Sequence, residues 1–99
     1  MAELIYHPAA QVELREAAAW YEECQENLGR AFLVEAERTA VELSAAPLRW
    51  MRISGEYRRC RLRRFPYAFV YRVESEGTYV VAVMHLHRRP EYWHLRKPG

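Results

Sequence analysis

The apolar residues change their spacing once along this chain, at Pro47, and that change limits the possible folds more than any other feature. Before it, Ala10, Leu14, Ala17, Tyr21, Cys24 and Leu28 recur at alternating steps of three and four, and so do Phe32, Ala36, Thr39, Leu43 and Ala46. Such steps stack side chains along one side of a helix with 3.6 residues per turn. After it come LRWMRI (48–53), YRRCRLRRF (57–65), YAFVYRVE (67–74) and TYVVAVMHL (78–86), rich in β-branched and aromatic residues and separated by SGE, Pro66 and ESEG, the punctuation of hairpins. Ahead of the first helix, ELIYH at 3–7 reads as a strand ending where Pro8 enters the first helical turn. Gly29 is expected to stop the first helix and Pro47 the second. The pattern predicts an α+β fold of order β-α-α-β-β-β(-β), its helical hairpin laid across one face of a twisted antiparallel sheet.

A chain of 99 residues is expected to form one domain, 1–99, with one modest core. Its hydrophobic share of 51% argues against disorder. The longest apolar run, YVVAVM at 79–84, is far short of the ~20 residues of a membrane span, so no membrane is expected. Glutamates stand near the start where a signal peptide would be basic, so the cytoplasm is the expected compartment. Cys24 and Cys60 lack any paired-ligand spacing and read as free thiols in or near the core.

Charge is segregated along the chain. Through residue 45, three arginines oppose nine glutamates, a net −6; from residue 46 on, twelve cations oppose four glutamates, a net +8. A basic half recruits polyanions or acidic protein segments, because guanidinium contacts to phosphate or carboxylate are charge-assisted and often bidentate. Period-two geometry puts Arg59, Arg61 and Arg63 in a row on one face of their strand. In the last strand it puts His85 and His87 with Val81 and Val83, and Ala82, Met84 and Leu86 on the other face. Those two histidines lack an evident third ligand, so neither a metal site nor a cofactor is expected. Off the main helical stripes lie Val12 and Ala19 on the first helix and Val34 and Val41 on the second, either ordinary surface residues or the flanks of a groove for a partner helix.

RFPYAFVYRVE at 64–74 and HLHRRPEYW at 85–93, in that order behind a helical hairpin, resemble the ParE/RelE superfamily of toxins from type II toxin–antitoxin pairs. An aromatic-Pro-Tyr turn (Phe65, Pro66, Tyr67) leads into Tyr71, Arg72 and Val73, and the ending carries His85, Arg88, Pro90 and Trp93. These look most like the ParE branch and the plasmid-stabilisation proteins grouped with it. The resemblance implies a toxin held silent by a cognate antitoxin in a hetero-oligomer and inhibiting DNA gyrase by binding. On that reading Arg88, Arg89, Tyr92, Trp93 and Arg96 would meet the target; alternatively Tyr92 and Trp93 fold back to close the core, with Pro90 turning the chain. Val12, Ala19, Val34 and Val41, with Arg59, Arg61 and Arg63, would meet the antitoxin's apolar and acidic segment. RelE-type relatives are instead ribosome-dependent mRNA endoribonucleases, which need a proton acceptor, a donor for the leaving oxygen and fixed cations. Here the arginine they commonly carry after the tyrosine of the penultimate strand is Ala68, which leaves His85, His87, Arg88 and Tyr92 as candidates. A non-toxic relative that only pairs with its antitoxin is the third possibility.

Overall fold

The computed structural model describes residues 4–89 and 91–96; Glu3, at the start of the expected first strand, Pro90, in the tail motif, and Lys97 lie outside them. The elements are β1 (Leu4–Tyr6), α1 (Pro8–Cys24), α2 (Leu28–Ala45), β2 (Arg52–Ser54), β3 (Tyr57–Arg61), β4 (Tyr67–Glu74) and β5 (Gly77–His85). This is the expected α+β order. The sheet runs β1-β5-β4-β3-β2, with β1 parallel to β5 and the remaining neighbours antiparallel.

Each helix begins on a specific cap. The ring Nδ1 of His7 accepts the Ala9 N–H at 3.0 Å, and Pro8 fills the first turn. Between the helices the chain breaks at Asn27, which takes a left-handed conformation (φ 70°). Glu22 reaches across the break and accepts the N–H groups of Asn27 (2.9 Å) and Gly29 (3.0 Å), two of the donors a helix start leaves unpaired.

The helix boundary therefore differs from the sequence expectation. Leu28 and Gly29 open α2 instead of closing α1. Gly29 is needed for close approach: a Cβ there would lie 2.3 Å from the Ala18 carbonyl oxygen. The hairpin is pinched at this end.

The β2 and β3 segments are shorter than their composition suggests. Residues 48–51 are irregular, and β3 stops at Arg61, where Glu35 on α2 accepts the Arg63 N–H at 2.7 Å and turns the chain away. Phe65 then enters an aromatic cluster with Tyr21 and Phe32, ring centroids 4.8 and 5.2 Å away. The Tyr71 hydroxyl donates to the Pro47 carbonyl at 2.6 Å and ties β4 to the end of α2.

Two layers cover the sheet. The helical hairpin packs on one face over Cys60, Leu62, Phe69, Tyr71, Val80 and Val83. The segment after β5 folds over the other, where Trp93 joins Val70, Val81, Ala82 and Met84. Val81 lies with Ala82 and Met84, not with Val83 as strict alternation required, because β5 carries a bulge. Val70 pairs with Ala82 and Tyr71 with Val80, leaving Val81 as an extra residue that inverts the facing. Cys60 is buried as expected, whereas Cys24 is exposed at the end of α1. Burial pushes the Cys60 thiol up to about 12, with the Glu42 carboxylate adding to the effect.

Candidate functional site

Away from the Gly29 pinch the two helices part and leave an open groove of about 710 Å³. Leu4 and Tyr6 of β1 and Phe69 of β4 are among its lining residues, with Leu14 of α1 and Leu33 and Val41 of α2. Leu33 is 44% exposed and Val41 64% exposed, so the groove continues into apolar surface on α2. Its size falls in the range of pockets that take a buried ligand side or helix face. Of the four off-stripe residues, Val41 lines it; Val12, Ala19 and Val34 are exposed on the helices outside it.

On the opposite face one carboxylate organises the tail. β1 covers β5 only at Thr78, Tyr79 and Val80, leaving the same edge open beyond. Glu13, on α1, reaches this edge and accepts the Val83 N–H at 3.0 Å. The same carboxylate accepts the Tyr92 hydroxyl at 2.7 Å and both terminal nitrogens of Arg96 at 3.0 Å. Arg96 also donates to the Val81 carbonyl at 3.1 Å. An ion pair thus supplies the acceptor and the donor that a neighbouring strand would have given. Arg88 adds an ion pair to Glu13 at 3.6 Å and lies over the Tyr92 ring, 3.9 Å from its centroid. Nothing in the sequence pattern marked Glu13, one of nine glutamates in an acidic half; the need it meets shows only in the structure, where a three-residue strand lies beside a nine-residue one.

Burial first, and then the Glu13 carboxylate, hold the Tyr92 phenol well above the usual tyrosine range. Tyr6, Tyr21 and Tyr67 are raised as well, and Tyr71 is pushed up to about 12, in each case chiefly by burial. The unfolded chain loses these protons near pH ~10, before the folded chain does. Stability should therefore fall as pH rises through about 10 toward 12, each phenol adding up to ~1.4 kcal/mol per pH unit. Urea melts between neutral and alkaline pH check this; constant midpoints beyond pH ~10 would contradict it.

The tail residues expected to meet a target divide. Trp93 is 1% exposed and belongs to the core, 4.8 Å between ring centroids from Tyr57, so it serves the packing of the tail and at most floors a neighbouring cleft. Tyr92 and Arg96 are committed to Glu13 and partly buried, while Arg88 and Arg89 are exposed.

His85 and His87 have ring centroids 5.2 Å apart. His85 packs edge-on to Tyr67 at 5.0 Å, and its Nδ1 accepts the His87 N–H at 3.0 Å. That bond occupies one of the two nitrogens a general base would offer. Ala68 is fully buried between Arg61 and Met84 in the sheet register, placing no functional group at the centre of this face. Among the described residues no three His, Cys, Asp or Glu side chains converge as metal ligands, and no helix is long and apolar enough to cross a membrane.

The arginine row is also divided. Cys60 faces the helices, so Arg59 and Arg61 face the tail side with Tyr57. Arg63 lies past the end of β3 and pairs with Glu42 on α2 at 2.6 Å.

A helical hairpin on a five-stranded mixed sheet, grooved on one face and closed by a tail on the other, defines the α+β fold of this chain. A chain of a chromosomal ParDE toxin–antitoxin system from P. aeruginosa shares it, with a TM-score of 0.74 at 19% identity over 88% of this chain and 98% of that one. The family model for the ParE toxin of the type II toxin–antitoxin system parDE matches residues 4–90, and the chain belongs to that family. No curated protein sequence matches it.

Proposed function

We infer that this protein is the toxin of a ParDE-type module, silenced by a cognate antitoxin and acting on DNA gyrase by binding. The match to the ParE family over residues 4–90 carries the reading. The site chemistry supports binding over turnover. Tyr92 is a poor acid while its hydroxyl is bonded to Glu13, and His85 spends Nδ1 on the backbone. Arginine stays protonated and cannot take a proton.

The antitoxin's apolar segment occupies the groove between Leu33, Val41 and Phe69. A segment disordered when free and folding on the toxin suits such a surface, since its ordering cost is met only on binding.

In a supercoiling assay, the purified protein should inhibit gyrase and trap cleaved DNA, and the protein encoded beside it should reverse both. Undisturbed supercoiling, with cleavage of ribosome-bound message instead, would replace gyrase inhibition by nuclease action.

A further inference from the structure

We propose that the tail-side face of β3 binds the phosphodiester backbone of a nucleic acid through Arg59 and Arg61. These two guanidinium groups are the part of the arginine row that groove and tail leave unused. Among the described residues neither has an acidic partner, whereas Arg63 pairs with Glu42 and Arg96 with Glu13. Residues two apart on a strand are ~6.6–6.8 Å apart, comparable with the step between neighbouring phosphates of one strand.

Arg59 opens into a cleft of about 170 Å³ that also takes in Ser54, Arg88 and Glu91 over an apolar floor of Met84 and Trp93. That is below the ~300–1,000 Å³ of a small-molecule pocket, and suits a single phosphate group. Arg88 is already paired with Glu13, so the donors the cleft offers are the Arg59 guanidinium and the Ser54 hydroxyl, with Glu91 as its carboxylate.

An acidic peptide is the other polyanion to weigh. An extended peptide gains much of its affinity from main-chain hydrogen bonds at a free sheet edge. β3 is paired with β4 from Arg58 to Arg61 and with the β2 segment from Tyr57 to Arg59, so at Arg59 this face offers side chains alone. Side-chain contacts without main-chain pairing are how phosphates are commonly held.

The test is fluorescence anisotropy with a short labelled oligothymidylate, titrated at several salt concentrations. Arg59→Glu with Arg61→Glu should weaken binding at least ~10-fold and reduce the salt slope by about 1.4, at ~0.7 for each single-strand phosphate that is no longer neutralised. Arg15→Glu with Arg30→Glu changes the net charge equally at exposed helical positions and should leave affinity nearly unchanged. Circular dichroism confirms that both pairs of variants fold. Three results would overturn the proposal: no oligonucleotide binding at low salt, equal weakening in the two double variants, or a polyglutamate peptide displacing the oligonucleotide at matched charge. Gyrase inhibition is measured separately, so failure here leaves that reading standing.

Discussion

Replacing Glu13 by alanine should destabilise the fold by about 3 kcal/mol, the scale for breaking a buried ion pair and stranding its partners. The Glu13 and Arg96 side chains are 12% and 19% exposed, so the pair is largely withdrawn from water. The substitution leaves the Val83 N–H and the Tyr92 hydroxyl without an acceptor. For a domain of this size that corresponds to a fall in Tm of roughly 12–24 °C. The Val83 amide should also lose protection in hydrogen exchange before the amides of β4. Glu13→Gln keeps an acceptor for Val83 and should cost about half as much. Apolar residues at both 13 and 96 should not restore stability, because the Val81 carbonyl and Val83 N–H would still lack partners. A wild-type midpoint for Glu13→Ala in denaturant would show that the tail closes without it.

The second large effect concerns the groove. Leu33→Glu with Val41→Glu should weaken antitoxin binding at least ~100-fold, since a carboxylate facing an apolar segment must be desolvated without a partner. Both residues are exposed in the free protein, so the variant should fold normally. Calorimetry with the antitoxin reads the affinity, and co-expression reads the consequence: growth should fail where the unaltered toxin is neutralised. Unchanged affinity would place the antitoxin elsewhere on the surface.

Local patterns were legible in the sequence and distant partners were not. The stripe from Ala10 to Tyr21 fixed the buried side of α1, and the run 67–74 announced β4, because each signal repeats within one element. Gly29 reads as a stop when its purpose lies on the other helix, at the Ala18 carbonyl. Val81 takes the face opposite to the expected one because a bulge depends on the register of two strands, which alternation within one strand does not encode. Trp93 has two readings in the sequence, a target contact and a tail folded back onto the core, because aromatic and arginine content looks alike in both; its burial is that of the second. Glu13 was invisible for a related reason: four of its bonding partners lie seventy or more positions away.

That separation sets a timetable for assembly. The hairpin of helices and the β3–β4–β5 meander close short loops, while β1 must find β5 between Leu4 and Thr78 and Glu13 must find Arg96 across 83 positions. Loop-closure entropy should delay such pairings, leaving Val70 and Met84 among the last residues to be covered as the chain folds. During that interval the back of the sheet is sticky, and rapid dilution from denaturant at high protein concentration should give aggregates in place of toxin.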